Sequence, residues 1–281
     1  MRDVHVHFLH GQGEYSNAFF EGFISAAQNA DIDEIYLLEH THQFYEFEKV
    51  YTTVKKYNAF QNDWISQRMN GSIDSYLRFI ESVKGRTYPV KVKFGLEVCY
   101  IPETADQLSD CLEQYDFDFI ILSIHQVNNQ EFWTQDYQKE KSQQEYIEGY
   151  YQEMLNVVKK YKNYSVLGHL DLMTRYDEIG NYHFEKVKSI ITEILKTVIQ
   201  DGKGIEINTS SHRYGLKDST PSRDILKLYK ELGGKIITIG SDSHKPEHLG
   251  AYIDEAKELL KEIGFDSFCT IEKMKPIFHQ L

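Results

Sequence analysis

Seven short apolar runs in this chain end in a histidine, an aspartate or a glutamate, and that recurrence constrains the fold more than any single motif. The endings are Asp3-Val-His5-Val-His7, Leu38-Glu39-His40-Thr-His42, Phe94-Gly-Leu-Glu97, Ile121-Leu-Ser-Ile-His125, Val166-Leu-Gly-His169-Leu-Asp171, Ile205-Glu206-Ile-Asn208 and Ile239-Gly-Ser-Asp242-Ser-His244. Ligands and catalytic groups have to converge on a volume a few ångströms across. The C-terminal rim of a parallel barrel allows this, because successive strands each deliver one or two groups there. The chain therefore reads as one metal centre assembled along its whole length.

The segments between these endings support the same architecture. Strands are expected near 2–7, 34–40, 90–100, 117–127, 164–172, 204–210 and 235–244, all nearly continuous in Val, Ile, Leu, Phe and Tyr, as strands covered on both faces should be. Amphipathic helices are expected near 17–30, 72–85, 103–115, 142–161, 183–201, 221–232 and 246–264. Pro221 and Pro246 fall in first helical turns, and Gly233-Gly234 supplies a stop after Leu232. This is a β/α alternation with seven strands. No internal repeat, low-complexity stretch or Pro/Gly/Ser linker divides it, so residues 1–281 read as a single domain. Two connections exceed what a barrel needs, Gln43 to Pro89 and Val127 to Ser142, and long rim loops are where substrate selection usually resides.

Composition excludes several classes. A net charge of −12 without a basic stripe argues against a nucleic-acid partner, which would draw its affinity from clustered Lys and Arg. A small phosphorylated substrate is compatible with that charge, because metal ions and a local Arg can reverse the field inside one cleft. No apolar run approaches the roughly 20 residues that span a bilayer. The first strand begins at once, leaving no room for a signal peptide, so a cytoplasmic location with no membrane partner is the expectation. Cys99, Cys111 and Cys269 are odd in number and widely spaced, and they read as reduced thiols, leaving His and carboxylate to hold any metal.

Within the constellation, His5 and His7 share one side of a strand because side chains alternate with period two, so the pair can chelate one ion. Alone, a His-x-His pair is more often two half-buried polar side chains. Here His40, Glu97, His125, His169, Asp242 and His244 fall at the same structural position of separate strands. Burying so many ionisable groups would cost several kcal/mol each unless cations neutralise them.

These residues resemble the polymerase-and-histidinol-phosphatase (PHP) superfamily, whose motifs they match in order across essentially the full chain. More narrowly, Glu39-His-Thr-His42, Gly168-His-Leu-Asp-Leu172 followed by Arg175, and Glu206-Ile-Asn-Thr-Ser210 followed by Arg213 resemble its stand-alone histidinol-phosphate phosphatases. The resemblance implies a distorted seven-stranded (β/α) barrel of the TIM-like kind, with three divalent ions (zinc, iron or manganese) on its rim. It places the first ion on His5, His7, Glu97 and Asp242, and the second on Glu97, His125 and His169. The third takes His10, His40 and His244, although His10-Gly11 follows His7 more closely than the family pattern has it.

Such a centre suits hydrolysis of a phosphate monoester, since bound ions supply a hydroxide nucleophile near neutral pH and receive charge on the phosphate. Arg175 and Arg213 could fork onto phosphate oxygens, against the plainer reading of surface salt bridges. His42 could protonate the departing alkoxide, position the phosphate, or only hydrogen-bond a ligand. Asp171 reads as a residue that orients a metal-bound imidazole, and Glu206 and Asn208 as hydrogen-bonding groups within the rim. His183, His248 and His279 read as exposed helical residues. Phe44, Tyr45 and Phe47, with Phe132 and Trp133, lie in rim loops where an aromatic could stack on an imidazole-bearing leaving group; Trp133 and Phe44 are the preferred substrate contacts. The resemblance implies hydrolysis of L-histidinol phosphate to histidinol and phosphate. Alternatives are a related phosphoesterase acting on a nucleotide or other small phosphate, an amidohydrolase, and a metal-stabilised binding module without catalysis.

Overall fold

The structure, a computed structural model, describes residues 1–8, 15–41, 72–100, 105–180 and 182–281. Seven strands form one parallel sheet in the order β1 (Arg2–His7), β2 (Glu34–His40), β3 (Lys91–Cys99), β4 (Phe119–Ser123), β7 (Val166–Leu167), β8 (Gly204–Asn208) and β9 (Ile237–Gly240). The sheet curls until its ends nearly meet. A parallel bridge between Val6 and Ser243 closes the seam just beyond β9, where His7 N–H donates to the Ser243 carbonyl at 2.7 Å. The result is a nearly closed seven-stranded parallel α/β barrel, the architecture expected from the alternation of strands and helices.

Outside the sheet run the helices α1 (Asn17–Asn29), α2 (Ile73–Val83), α3 (Ala105–Leu112), α4 (Gln143–Lys160), α6 (Phe184–Gln200), α8 (Arg223–Glu231) and α9 (Ile253–Ile263). Their starts follow capping chemistry. Ser16, Ser72 and Ser142 each accept a backbone N–H three residues on, and Ser142 with Glu145 completes a capping box. At the other end of α8, Gly233 takes a left-handed conformation, as the Gly233-Gly234 stop requires. Pro221 lies ahead of the Ser222 cap and therefore outside the first turn where it was expected. Two single-turn helices, α5 (Met173–Tyr176) and α7 (Ser210–Arg213), follow β7 and β8 on the rim.

Three apolar clusters fill the spaces between layers. The largest packs α4, α6 and α8 on the sheet, and a second joins α1 and α2 to β1 and β2. The third lies inside the barrel, where Val4, Tyr36, Leu38, Phe119, Ile121 and Val166 meet Ile271. Ile271 comes from a hairpin, β10 (Ser267–Glu272) and β11 (Lys275–Gln280), and its carbonyl accepts the Tyr36 hydroxyl at 2.6 Å. The hairpin thus caps the end of the barrel away from the rim. His279, expected in a helix, is in β11. The fifth barrel strand is also shorter than the expected 164–172, because the chain turns at Gly168-His169 to enter α5.

Candidate metal centre

Each barrel strand releases its polar ending at the same rim. His7 and His40 close β1 and β2, Glu97 is near the end of β3, and His125, His169 and Asp242 lie just beyond β4, β7 and β9. These groups form three clusters whose ligand atoms fall within reach of one ion each: His5, His7 and Glu97; Glu97, His125 and His169; and His7, His40 and His244. Glu97 belongs to two of them. Its Oε2 is 3.2 Å from His7 Nε2 and 2.9 Å from His40 Nδ1, while its Oε1 is 3.0 Å from His169 Nε2 and 3.3 Å from His125 Nε2. Asp242 Oδ1 adds a carboxylate 3.3 Å from His7 Nε2. Of the expected ligands, His10 lies outside the described residues, as do His42 and Phe44. The third cluster contains His7 beside His40 and His244.

Hydrogen bonds behind the histidines decide whether the donors fit a cation. His5 Nδ1–H donates to Glu206 Oε1 at 2.6 Å, and His7 Nδ1–H donates to the Leu38 carbonyl at 3.0 Å. Both outward nitrogens therefore carry hydrogen, so each ring when neutral presents a bare Nε2 lone pair to the other, and these atoms are only 3.0 Å apart. The Nε2 atoms of His125 and His169 also face each other, 3.2 Å apart, with Cys99 Sγ behind His125 Nδ1 and no partner behind His169 Nδ1 among the described residues. Lone pairs facing one another in a buried site need a cation or extra protons between them, and a divalent ion supplies that charge.

The electrostatics agree. Burial opposes charge on His5, yet Glu206 and Asp242 beside it win and hold its pKa well above the ordinary range. Burial likewise favours neutral Glu97 and Asp242. The surrounding histidines, His40 first for Glu97 and His5 first for Asp242, hold both well below the usual carboxylate range. The site thus holds carboxylates in their anionic form and draws positive charge towards them.

Glu206 does more than fill the rim. It is fully buried, and while Oε1 holds His5, Oε2 accepts the His169 backbone N–H at 3.2 Å and the Asn208 amide at 3.4 Å. One side chain therefore positions ligands of two clusters. Gly240 makes room for it, since a Cβ there would overlap His5 Cβ and crowd Glu206 Oε1 at 3.1 Å. Among the described residues, Asp171 orients no histidine. Its Oδ2 accepts the Ser222 N–H at 2.8 Å, capping α8, and desolvation pushes its pKa up to about 7.

The two arginines sit on the single-turn helices beside Asp242. Arg213 Nη2 donates to the Asp242 carbonyl at 2.8 Å. Arg175 Nη2 donates to Ser210 Oγ at 2.6 Å while its guanidinium stacks on Tyr214, 3.9 Å from the ring centre. Neither pairs with a carboxylate among the described residues. Each keeps a buried nitrogen without a protein partner there, Nε of Arg175 and Nη1 of Arg213.

Trp133 is partly exposed in the loop after the short β5–β6 hairpin (Gln126–Val127 and Gln130–Glu131), and the Phe132 N–H beside it donates to the His125 carbonyl at 3.4 Å. Phe132 itself is fully buried against Tyr137 and Tyr150, so it cannot face a ligand. Cys99, read from the sequence only as a reduced thiol, sits against the centre. Its Sγ is 3.2 Å from His125 Nδ1 and 3.8 Å from His40 Nδ1. Burial pushes its thiol pKa up, against the pull of His125. The signal was present in the sequence, because Cys99 follows Glu97 by two on one strand and so shares its face.

Comparison with known proteins agrees with this geometry. Residues 3–210 match the PHP domain. A histidinol-phosphatase of Lactococcus lactis is 32% identical over 194 residues, covering 66% of this chain and 70% of that protein. A probable histidinol-phosphatase of Clostridium acetobutylicum is 28% identical over 211 residues, 74% of this chain and 77% of its own length. In three dimensions, the crystal structure of the Lactococcus lactis histidinol phosphate phosphatase, complexed with zinc, L-histidinol and phosphate, superposes with a TM-score of 0.72 at 25% identity, covering 98% of both chains. A putative histidinol phosphatase from Listeria monocytogenes shares the fold with a TM-score of 0.71 at 18% identity, over 90% of this chain and 98% of its own. The chain belongs to the PHP family, and its centre is built for divalent metal. Among the described residues, no helix is long and apolar enough to cross a membrane.

Proposed function

We propose that this protein is a metal-dependent phosphatase that hydrolyses L-histidinol phosphate to L-histidinol and inorganic phosphate, a step of histidine biosynthesis in the cytoplasm, with the whole chain acting as one domain. The observation that carries the reading is the pair of arginines whose buried N–H groups have no partner among the described residues, beside a donor set joined by Glu97. The likeness to a relative whose structure holds zinc, L-histidinol and phosphate supports the choice of substrate.

Three ions are assigned, of zinc, iron or manganese, since mixed imidazole and carboxylate donors suit each of these. His5, His7, Glu97 and Asp242 would hold the first, Glu97, His125 and His169 the second, and His40 and His244 with His10 or His7 the third. Bound ions supply an activated water at neutral pH and take up charge on the phosphate. Arg175 and Arg213 bind non-bridging phosphate oxygens, and the Tyr214 ring keeps the Arg175 fork flat. The P–O bond to the alcohol breaks, and the departing oxygen needs a proton; His42 is our candidate donor. Trp133 and Phe44 are assigned to the imidazole side of the substrate.

The test is phosphate release by the metal-replete protein from histidinol phosphate beside a panel of alkyl phosphates, nucleotides and phosphodiesters. A site shaped for this substrate should favour it by about a hundredfold or more in kcat/KM, because other esters leave its polar groups unpaired. Equal turnover of simple monoesters would remove the named substrate, and release from none of them would favour a binding module.

A further inference from the structure

In four of the histidines at the centre, the acceptor behind Nδ1 can be identified, and these acceptors differ in strength. His5 has the Glu206 carboxylate at 2.6 Å, His7 the Leu38 carbonyl at 3.0 Å, and His244 the Asp242 carbonyl at 3.1 Å. His125 has a sulfur, Cys99 Sγ at 3.2 Å. A thiol accepts hydrogen bonds far more weakly than a carboxylate or a carbonyl. The residues behind a ligating imidazole fix its ring orientation and raise its basicity, and losing one typically costs about 10–100-fold in metal affinity.

We propose that Cys99 is the positioning residue for His125, and that as the weakest of these acceptors it makes the Glu97–His125–His169 cluster the first to release its ion. Three observations converge on it. Cys99 shares the inner face of β3 with Glu97, the carboxylate of that cluster. Its backbone N–H donates to Thr41 Oγ1 at 3.2 Å, which ties this end of β3 to the residue after His40. The His125 ring that it backs is 27% exposed, against 2% for its partner His169, so the sulfur holds the cluster's solvent-facing side. With the N–H donated to sulfur, His125 Nε2 faces Glu97 Oε1 and His169 Nε2. If that contact is lost the ring can rotate, since no other described residue holds Nδ1.

The inference rests on the metal-centre reading, and the experiment separates the two. Zinc-loaded wild type, Cys99→Ala, Cys99→Ser and Cys99→Asp are dialysed against EDTA, and retained zinc is followed by elemental analysis, with thermal melts to confirm folding. Cys99→Ala should lose about one equivalent at least tenfold faster than wild type. Cys99→Asp, whose carboxylate is the stronger acceptor and reaches about as far, should hold that equivalent at least as long as wild type, with Cys99→Ser in between. Release at the wild-type rate from folded Cys99→Ala, or equal impairment of the Ala and Asp variants, would overturn the proposal and leave Cys99 as packing. If Cys99→Ala does not fold, the order of Asp and Ser decides by the same criterion. Wild type that holds less than about one equivalent of zinc from the start would instead remove the metal centre itself.

Discussion

The inner and outer halves of the centre are built differently. His5, His7, Glu97 and His169 are at most 2% exposed, and Glu206 behind them is fully buried. His40, His125 and His244 are 12%, 27% and 28% exposed, and Arg175 and Arg213 stand with them on single-turn helices at the rim. Strands fix most of the inner half, whereas turns and single-turn helices carry most of the outer half. A buried, cross-braced half suits holding ions, and a half open to solvent suits admitting a phosphate and letting it go. Disturbing the buried bracing should therefore cost metal, and disturbing the rim arginines and the aromatic loop should cost catalysis or selectivity with metal retained.

Glu206→Gln should break the bracing of the inner half without removing a ligand. A neutral amide holds the His5 N–H less well, so zinc affinity should fall by about 10–100-fold and activity at limiting zinc should fall with it. Competition with a chromophoric chelator measures this, and wild-type affinity would show that the two halves are not distinguished by their bracing.

Arginine variants test the outer half. Replacing Arg175 or Arg213 by Met keeps the aliphatic bulk and removes the fork. We expect kcat/KM to fall by roughly one to three orders of magnitude, about 1.5–4 kcal/mol of transition-state stabilisation, with metal content unchanged. Steady-state kinetics with parallel elemental analysis decides between loss of phosphate binding and loss of metal.

Protonation should separate the metal-free protein from the loaded one. Burial works to lower the His7 pKa, but Asp242 and Glu97 outweigh it, and the pKa is pushed up to about 9. A folded pKa above the unfolded one means that this stabilisation is fully present below roughly pH 6.5 and is lost as pH rises towards the folded value. The melting temperature of chelated protein should therefore fall between about pH 6.5 and 9, and the gain on adding zinc should grow over the same range because ligation needs the deprotonated ring. Calorimetry with and without zinc checks both slopes.

A smaller effect is expected at the loop after the β5–β6 hairpin. Trp133→Ala should erode the preference for histidinol phosphate over an alkyl phosphate while sparing hydrolysis of the alkyl ester. A parallel fall on both substrates would place Trp133 in the scaffold.

The division between halves also marks how far the sequence could be read. Strand ends were legible because an apolar run stopping at His or Glu carries both the element and its chemistry, and period two put His5 with His7 and Glu97 with Cys99. The bracing was less so. That Glu206 joins His5 to His169, and that Cys99 rather than a carboxylate backs His125, depends on distances between strands far apart in the chain. Asp171 misled for the same reason, since two residues after His169 the chain is already turning into α5 and its carboxylate caps α8 instead. The β10–β11 hairpin escaped because its role is tertiary. Ile271 is one apolar residue among many until the barrel leaves a space at its far end.

The central claim is that Glu97 joins two ion-binding clusters, and metal content per chain tests it most directly. Wild type prepared with ample zinc should carry about two to three equivalents, and Glu97→Gln should lose most of two of them, because a neutral amide bridges cations poorly. A folded Glu97→Gln variant with the wild-type complement of zinc and full activity would contradict the account.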